Sequence, residues 1–235
     1  KEFVDACDAA YAEKIERAAR AIAENVRTCP IVLLSGPSGS GKTTTAMKIA
    51  EALRGMGISS QSLAMDDYFR TVNPRTAPRT PEGDIDFESP ACLDMDLLGK
   101  HLNALARGEE IHLPRYNFVT RVQSGPIGRP MRLGKDEVVV CEGIHALNDD
   151  IAAYCPDAFR LYISARSVVV DGDGQEIFKG TWMRLLRRLV RDSNFRGTPA
   201  AATLDMWANV RRGEKRFISP FKERANLMFD SSFPC

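Results

Sequence analysis

Short apolar runs, each bounded by polar or turn residues, recur along this chain and predict buried β-strands. Between them lie longer segments in which apolar residues return every three to four positions, which is the period of an amphipathic helix. Strands that alternate with helices indicate an α/β fold, in which a mostly parallel sheet is covered by helices on both faces. The predicted strands are "IVLLS", "ISSQSLAM", "VVVCEG", "FRLYIS" and "NLMFDSS".

The predicted helices divide the chain into a leading segment and a main domain. An amphipathic helix over about residues 5–27 comes before the first strand, and the chain has no initiator Met. We therefore predict an N-terminal helical unit over residues 1–29, interpreted as a linker from an upstream domain, and an α/β domain over residues 30–235. The other predicted helices are "TAMKIAEALRGMG", "DMDLLGKHLNALARGE", "RLLRRLVRDSNFRG" and "AAATLDMWANVRRGEKRFI".

A long polar region interrupts this alternation after the second predicted strand. The stretch "TVNPRTAPRTPEGDIDFESP" is rich in Pro, Thr and charge, which predicts a loop. Loops of this length are uncommon in a compact domain unless they have a function. Further on, "EIHLPRYNF" and "RPMRLGKDE" predict a small excursion of short strands. We interpret residues 70–135 as a substrate-side insertion.

The composition narrows the class of protein. Of the 235 residues, 44% are hydrophobic, which is enough for a substantial core and argues against disorder. The net charge is +1, so broad electrostatic attraction to nucleic acid or to a membrane surface is not expected. The six cysteines are scattered, without a Cys-x-x-Cys pair, and predict free thiols in a reducing cytoplasm. We predict a cytoplasmic protein with neither a nucleic-acid partner nor a membrane partner.

The chemistry of the chain starts at "GPSGSGKT", which follows the first predicted strand and opens a predicted helix. The stretch matches the pattern G-x-x-x-x-G-K-[ST] in full. Its glycines let successive backbone N–H groups point at a phosphate, and the helix N-terminus adds partial positive charge. Lys42 is expected to reach the β- and γ-phosphate oxygens, and the Thr43 hydroxyl to ligate Mg²⁺. The predicted triphosphate-binding residues are Gly36, Pro37, Ser38, Gly39, Ser40, Gly41, Lys42, Thr43 and Thr44.

The segment "RLLRRLVRDSNFRG" gathers cations on one face of a helix. Arg184, Arg187, Arg188 and Arg191 follow helical spacing, and the segment contains one acid. A solvated face is the simplest interpretation of such a cluster. The triphosphate site favours another interpretation, a mobile lid over residues 180–198 that closes over the nucleotide. Leucines would pack on the inner side of this lid while the guanidinium groups face the phosphates.

Three acids follow predicted strands, at the edge where parallel sheets bind their ligands. Asp66 and Asp67 end the second strand, and Glu142 ends "VVVCEG". We interpret Glu142 as a metal-binding acid and either Asp66 or Asp67 as the base that activates an accepting hydroxyl group. Each acid has a structural alternative, which is the capping of a helix or a turn. We expect ATP and Mg²⁺ as cofactors, with the choice between ATP and GTP left open.

Six segments together resemble the uridine–cytidine kinase branch of the phosphoribulokinase/uridine kinase family. In chain order they are "GPSGSGKT", "MDDYFR", "DFESP", "PRYNFVT", "EGIH" and "RRLVRDSNFRG". The resemblance extends from about Ile31 to Phe229 and is greatest to bacterial uridine-kinase-like proteins with an additional N-terminal domain. It implies a P-loop NTPase three-layer fold and ATP-dependent phosphoryl transfer to the 5′-hydroxyl of a nucleoside.

The resemblance also implies roles for individual residues. Asp66 would take the proton of the nucleoside 5′-hydroxyl. Aromatic faces would hold the planar base, and a carboxylate would grip two ribose hydroxyls. The expected catalytic residues are Lys42, Asp66, Arg188 and Arg191; the expected metal ligands are Thr43 and Glu142; the expected substrate-binding residues are Phe87, Glu88, Tyr116, Phe118, Arg121 and Arg196.

The chain departs from the family pattern in the acceptor pocket. Glu88 in "DFESP" replaces the usual Asp, Asn117 replaces the Asp of "YDF", and Thr198 replaces the second Arg of "RGR". Arg121 stands where a His is expected to contact the pyrimidine edge. Arginine only donates hydrogen bonds, whereas a neutral histidine donates or accepts, so the preference between uracil and cytosine stays open.

The altered pocket leaves other functions open. The acceptor could instead be a sugar phosphate or pantothenate, as in sister branches of the family. A nucleotide-sensing module that binds ATP with weak turnover is an alternative from another class. A nucleic-acid-binding NTPase is disfavoured by the near-zero net charge. The resemblance further allows a homo-oligomer, since relatives often form one.

A few aromatic or titratable residues fall outside these roles. We expect Trp182 and Trp207 to contribute to packing, His101 to be exposed on a polar helix, and the Arg211–Arg212 pair to be solvated. His145 follows "EGI" near the presumed metal acid. Both a packing role and an active-site contact stay open for it.

Overall fold

The structure, a computed structural model, describes residues 1–118, 120–125, 128–166 and 168–232. Cys235, predicted as a free thiol, lies outside these residues, and the other five cysteines are free thiols. The strands are β1 (Ile31–Ser35), β2 (Ser59–Ala64), β3 (Ile111–His112), β4 (Arg115–Asn117), β5 (Val122–Ser124), β6 (Pro130–Met131), β7 (Glu137–Glu142), β8 (Phe159–Ser164), β9 (Val169–Val170), β10 (Glu176–Phe178) and β11 (Leu227–Asp230). The α-helices are α1 (Glu2–Asn25), α2 (Lys42–Gly55), α3 (Met95–Ala106), α4 (Asp149–Tyr154), α5 (Gly180–Arg196) and α6 (Ala200–Gly213).

A parallel sheet of five strands forms the centre of the described chain, in the order β11–β8–β1–β7–β2. Every neighbouring pair in it is parallel. The central strand β1 is buried at all of its positions, as expected of a parallel strand covered on both faces. The predicted α/β fold with a mostly parallel sheet is confirmed.

Helices cover both faces of the sheet and divide the core into two layers. On one face, Ile22 of α1 and Leu53 of α2 pack in a cluster that includes Leu34. On the other face, Leu102 of α3 packs in a cluster that includes Leu33. Leu33 and Leu34 are neighbours in β1, and they enter different clusters because successive side chains of a strand point to opposite faces.

The first helix contributes to this packing. Ile15, Ala18, Ala19 and Ile22 of α1 are buried against the sheet, whereas the residues before them are mostly exposed. The boundary predicted between residues 29 and 30 stays a prediction. The C-terminal half of α1 nevertheless packs on the domain that follows it.

The carboxyl ends of three neighbouring strands lie at the same level of the sheet. In the parallel pairings, Leu34 of β1 and Ala64 of β2 are both aligned with Glu142, the last residue of β7. The segments that follow these strands therefore leave the sheet at one edge. Ligands of such sheets bind at this edge, where the order of strands turns from one side to the other.

The predicted excursion of short strands is confirmed. β3 pairs with β6 and β4 pairs with β5, and both pairs are antiparallel. The residues 119, 126 and 127 of this region lie outside the described part of the chain. The β4 strand carries Tyr116, a predicted substrate-binding residue, and the Tyr116 ring lies 5.4 Å from the ring of Phe69, which follows β2.

The sequence-based prediction missed α4 and the β9–β10 hairpin. The signal for the hairpin was present, because β-branched residues flank the turn sequence "DGDG". The Asp171 side chain accepts hydrogen bonds from the backbone N–H groups of Asp173 and Gln175, which closes the turn. α4 is only 6 residues long, too short for a clear periodic pattern.

The helix after the arginine segment ends before its predicted limit. α6 stops at Gly213, and the predicted helix continues as a π-helical turn over Glu214–Ile218. A 3-10 turn over Ser219–Arg224 leads on to β11. π-Helical turns are rare and frequently lie at functional sites.

Candidate active site

The P-loop lies between β1 and α2 with the backbone shape that its glycines predict. Gly39 and Gly41 adopt the left-handed conformation, with φ of 74° and 83°. A Cβ on Gly39 would lie 2.5 Å from the backbone oxygen of Arg184, and a Cβ on Gly36 would collide with the backbone carbonyl of Ile163. Larger residues are therefore excluded at both positions.

Two residues of the P-loop have side chains that fit a phosphate cradle. Ser40 is buried, and its hydroxyl has no hydrogen-bond partner among the described residues. Lys42 donates from Nζ to the backbone oxygen of Pro37 at 3.3 Å, which holds the ammonium group over the loop. Burial lowers the pKa of Lys42, while the nearby charges of Glu142 and Asp66 raise it. Thr44 lines the same cleft.

Thr43 and Glu142 form the predicted metal-binding pair. Thr43 Oγ1 donates to the two carboxylate oxygens of Glu142 at 3.2 and 3.0 Å. Both groups are hard oxygen donors at the mouth of the P-loop, and Mg²⁺ is usually held by one or two protein oxygens together with phosphates and water. The described residues contain no group of three or more His, Cys, Asp or Glu arranged to hold a metal. The pair therefore fits a magnesium ion whose remaining ligands are nucleotide phosphates and water.

The arginine helix α5 is docked on the P-loop. Arg184 Nη1 donates to the backbone oxygen of Ser38 at 3.2 Å, and Arg188 Nη1 donates to the Ser38 hydroxyl at 2.9 Å. Arg184 also pairs with the carboxylate of Glu214 at 2.8 Å. Arg184 and Arg188 are almost fully buried, so the arginine face of α5 is its inner face.

One buried carboxylate lies close to three arginines of α5. Asp192, which is 2% exposed, pairs with Arg188 at 3.2 Å and with Arg191 at 2.6 Å. Arg196 approaches the same carboxylate at 3.9 Å. Burial lowers the pKa of Arg188, and the charge of Asp192 opposes that effect. Asp192 was noted in the sequence as the acid of this segment, but its role as a common partner was not predicted.

Arg187 differs from the other arginines of α5. It forms no salt bridge with any described residue, and it lines the cleft above the P-loop. Its Nη1 lies 4.0 Å from the point that a Cβ on Gly41 would occupy. A guanidinium group without a carboxylate partner is thus directed at the predicted phosphate site.

The prediction that leucines pack on the inner side of this helix is wrong. Leu186 and Val190 are 49% and 61% exposed, while Arg184 and Asp192 are buried. The arginines lie inside because the P-loop carbonyl and two buried carboxylates offer them hydrogen bonds there, which offsets the cost of burying charge. The apolar side of the helix is left outside as a consequence.

The predicted base, Asp66, follows β2 in a short 3-10 turn over Met65–Tyr68. Its carboxylate is half exposed and lies 3.9 Å from Arg196, on the same cleft as Lys42. Asp67 is more enclosed, and burial raises its pKa. Of the two acids, Asp66 therefore has the freer carboxylate in the cleft.

An aromatic cluster stands beside Asp66. Tyr116 and Phe118, both predicted, have ring centroids 5.0 Å apart, and Phe69 lies 5.4 Å from Tyr116. Arg196 lies over the Phe118 ring at 6.0 Å. Phe69 was missed as a site residue, although it belongs to the segment "MDDYFR" and follows Asp66 by three positions.

Arg121 and Phe87 meet at the outer end of the cleft. The Arg121 guanidinium lies over the Phe87 ring, 5.2 Å from its centroid. Arg121 has a φ of 57°, an uncommon left-handed conformation for a residue with a side chain. Its N–H donates to the backbone oxygen of Asn117 at 2.8 Å, so the turn that ends the β4 strand fixes its position.

Glu88 lines the same cleft, near the charges of Arg188 in α5 and Lys42 in the P-loop. Burial raises the pKa of Glu88 to about 7, with the positive charges of Arg188 and Lys42 acting against that rise. The backbone N–H of Glu88 donates to Asp86 Oδ1 at 3.2 Å. Asp86 was not predicted as part of the site, although it opens the segment "DFESP".

His145, left open by the sequence, is a packed residue at the edge of this site. It is 2% exposed, and its ring nitrogens make no hydrogen bond of good geometry with the described residues. Burial lowers its pKa to about 4, and backbone groups of Glu88 and Phe217 act in the opposite direction. The ring is therefore neutral at physiological pH and separates the acceptor loop from the π-helical turn.

Three of the remaining expectations need correction. His101 is partly buried, and its Nδ1 shares a hydrogen bond of 2.8 Å with the Tyr68 hydroxyl. Trp182 is 47% exposed and packs against the Phe178 ring on the surface, while Trp207 lies beneath the Arg184 guanidinium. The pair Arg211–Arg212 is not solvated, since both arginines form ion pairs with buried carboxylates. Periodicity could not reveal Tyr68 as the partner of His101 or Asp86 as the partner of Arg212, because these partners are distant in sequence.

Comparisons with known proteins agree with this geometry. The model of the Phosphoribulokinase / Uridine kinase family matches residues 31–233. A uridine kinase from Deinococcus deserti is 31% identical over 199 residues, which are 84% of this chain and 86% of that protein. Among solved structures, a putative fructose transport system kinase from Silicibacter sp. TM1040 has a TM-score of 0.63 at 16% identity, covering 92% of this chain and 98% of the other. A possible uridine kinase from Bacillus stearothermophilus has a TM-score of 0.54 at 20% identity, covering 85% and 88%.

Proposed function

We propose that this chain, which belongs to the Phosphoribulokinase / Uridine kinase family, transfers the γ-phosphoryl group of ATP to the 5′-hydroxyl of a nucleoside. One observation carries the proposal: the P-loop, the Thr43–Glu142 pair and Asp66 line a continuous cleft together with Tyr116 and Phe118. Such a cleft offers a phosphate cradle, a metal site, a carboxylate and an aromatic wall in one space. The relatives named uridine kinase support the same reaction.

The phosphate end of the cleft suits ATP with Mg²⁺. The P-loop amides and Lys42 would hold the phosphates, and Thr43 and Glu142 would hold the metal ion. Mg²⁺, when bound, neutralises charge on the phosphoryl group during transfer. Asp66 would accept the proton of the attacking nucleoside hydroxyl. As the hydroxyl oxygen bonds to the γ-phosphorus, the bond between that phosphorus and the oxygen of the leaving ADP breaks.

The lid supplies further positive charge. Arg188 and Arg191 lie beside the P-loop and are held by Asp192. Arg187 has no carboxylate partner among the described residues, so its guanidinium is available for the triphosphate without breaking an existing ion pair. Positive groups that are held in place before the reaction stabilise charge in the transition state at little reorganisation cost.

The acceptor end of the cleft suits a planar base joined to a sugar. Tyr116, Phe118 and Phe87 would contact the base, and the Glu88 carboxylate would accept hydrogen bonds from ribose hydroxyls. Arg121 would stand at the edge of the base and offer donors only. Carbonyl oxygens and unprotonated ring nitrogens of the base are therefore the groups that it would recognise.

An acceptor panel tests the proposal. Uridine, cytidine, purine nucleosides, ribulose 5-phosphate and pantothenate would each be incubated with the protein, ATP and Mg²⁺, and ADP release would be measured. We expect nucleosides to raise ADP release and nucleoside 5′-monophosphate to form. If only ribulose 5-phosphate or only pantothenate raised ADP release, that compound would take the place of a nucleoside as the proposed acceptor. No response from any compound, with ATP still bound, would favour the nucleotide-sensing alternative.

The proposal also covers the cellular location, the partner and the oligomeric state of the enzyme. The described cysteines are free thiols, which suits a cytoplasmic location. Within the described residues, no helix combines the length and the apolar character that a bilayer span requires. We retain a small-molecule acceptor as the partner, a homo-oligomer as an allowed state, and the division of the chain after residue 29.

A further inference from the structure

The end of α6 and the start of the π-helical turn touch both halves of the cleft. We call Arg211–Glu214 the RRGE segment. Arg212 and Gly213 contact the acceptor loop of residues 86–89, and Glu214 contacts the lid. A segment of four residues thus lies against two groups of side chains that come from distant parts of the sequence.

The first contact is a shielded ion pair. Arg212 Nη2 lies 2.9 Å from Asp86 Oδ2, and the Asp86 side chain is 3% exposed. The other oxygen of Asp86 accepts the backbone N–H of Glu88 at 3.2 Å, and the Asp86 backbone oxygen accepts the N–H of Ser89 at 3.1 Å. Asp86 therefore shapes the turn that presents Glu88, and Arg212 fixes the orientation of Asp86.

The second contact is steric. A Cβ on Gly213 would lie 2.9 Å from Glu88 Cγ and closer still to Glu88 Cβ. The α6 backbone therefore lies against the Glu88 side chain, with no room for even a methyl group between them. This contact sets how far the Glu88 carboxylate reaches into the cleft.

The third contact leads to the nucleotide side. The Glu214 carboxylate accepts hydrogen bonds from Arg184 Nη2 at 3.0 and 2.8 Å, and Arg184 Nη1 donates to the Ser38 backbone oxygen of the P-loop at 3.2 Å. Arg211 pairs with the same carboxylate. These hydrogen bonds anchor the RRGE segment to the lid and the P-loop. The contacts of the segment with the acceptor loop are therefore held in a fixed position.

We infer that Arg212 and Gly213 are positioning residues for the acceptor site, which hold Glu88 at its place in the cleft through Asp86 and through direct packing. The inference rests on the proposed function, since it concerns the acceptor pocket of that reaction. Neither residue touches the reacting atoms. Their effect is on where the acceptor-binding carboxylate lies.

Steady-state kinetics of charge-removing variants test the inference. In Arg212→Gln we expect the KM for uridine to rise by about 10- to 100-fold because a small displacement of Glu88 misplaces the acceptor. The KM for ATP should stay within about twofold of wild type, since the P-loop contacts of Arg184 are intact. Arg212→Lys, which keeps the charge, should recover part of the loss. Gly213→Ala should raise the KM for uridine in the same way, since its methyl group pushes Glu88 aside.

Lys215→Gln is the matched control, because Lys215 directly follows the RRGE segment and its side chain is exposed. Hydrogen exchange followed by mass spectrometry adds a readout that needs no activity: the amides of residues 86–89 should exchange faster in Arg212→Gln, with α2 unchanged. The inference is overturned if the KM for uridine moves no more than in the control, or if the KM for ATP rises equally. If wild type phosphorylates none of the nucleosides in the acceptor panel, the proposed function fails, and unchanged protection of residues 86–89 would then overturn the inference on its own.

Discussion

Thr43 donates a hydrogen bond to Glu142 at 3.0 Å across 99 positions of sequence. The first residue belongs to the P-loop helix and the second ends the neighbouring strand β7. The parallel pairing of β1 with β7 aligns Leu34, near the end of β1 and the start of the P-loop, with Glu142. Two oxygen donors thereby converge where the phosphates of a nucleotide would end.

Removal of the Glu142 charge should lower the affinity of the enzyme for Mg²⁺. In Glu142→Gln we expect the Mg²⁺ concentration for half-maximal rate to rise by about 10- to 100-fold, because a neutral amide is a poor ligand for a hard cation. Initial rates over a magnesium titration measure this. Glu137→Gln, at the opposite end of β7, is the control. A variant of Glu142 with an unchanged magnesium requirement would exclude Glu142 from the metal site.

Asp66 should act on chemistry and not on nucleotide affinity. In Asp66→Asn we expect kcat to fall by about 10²- to 10⁴-fold, since an amide cannot take the hydroxyl proton. ATP affinity, measured by calorimetry, should be nearly unchanged. Asp67→Asn should cost less activity, because the Asp67 carboxyl is more enclosed. A large loss of ATP binding in Asp66→Asn would refute the role of base.

The pKa of Glu88 predicts a pH-dependent stability. Its folded-state value of about 7 lies above the ordinary 4.5, so protonation of Glu88 favours the folded state. This contribution is fully present below about pH 4.5 and is lost as the pH rises through about 7. The side chain at position 88 stays neutral at every pH in Glu88→Gln. The unfolding free energy of this variant relative to wild type should therefore increase between pH 5 and pH 8, by up to about 3 kcal/mol.

Urea unfolding at pH 5 and pH 8 measures that difference between wild type and Glu88→Gln. A difference that does not change with pH would contradict the raised pKa. The same ionisation should appear in function, because only the carboxylate accepts two hydrogen bonds from the ribose. We expect the KM for the nucleoside in wild type to fall as the pH rises through about 7, and to lose this dependence in Glu88→Gln.

Arg184 and Arg187, one helical turn apart, should respond to substitution in opposite ways. Arg184→Gln leaves the buried Glu214 with Arg211 as its remaining arginine partner and should lower the free energy of unfolding by about 1.5–3 kcal/mol. Arg187→Gln should change stability by less than about 0.5 kcal/mol. It should instead lower kcat/KM for ATP by about 100-fold, through the loss of a phosphate contact.

Urea unfolding and ATP kinetics on both variants separate the two roles. Lys179→Gln, an exposed cation just before α5, is the control for removal of a positive charge. If Arg187→Gln left ATP kinetics unchanged while Lys179→Gln did the same, Arg187 would be a surface residue with no part in phosphate binding.

The sequence was sufficient for the elements that local patterns encode. β1 and β7 contain continuous apolar runs because they are covered on both faces, and the glycines of the P-loop are dictated by backbone conformations that other residues avoid. The sequence was insufficient to predict the orientation of α5, because the inner face of this helix is the one that carries the arginines. A hydrophobic pattern assigns apolar side chains to the interior, and only knowledge of Asp192 and Glu214 as buried partners reverses that assignment.

The sequence by itself determined which chemical groups this protein has: a phosphate-binding loop, acids at strand ends, aromatic residues in an insertion, and a helix rich in arginine. These follow from spacing along the chain, which local backbone geometry converts directly into structure. Only the tertiary structure decided which groups meet. The pairs Arg212–Asp86 and Gly213–Glu88 join residues more than 120 positions apart. Such contacts depend on how elements pack, and packing is a property of the whole chain.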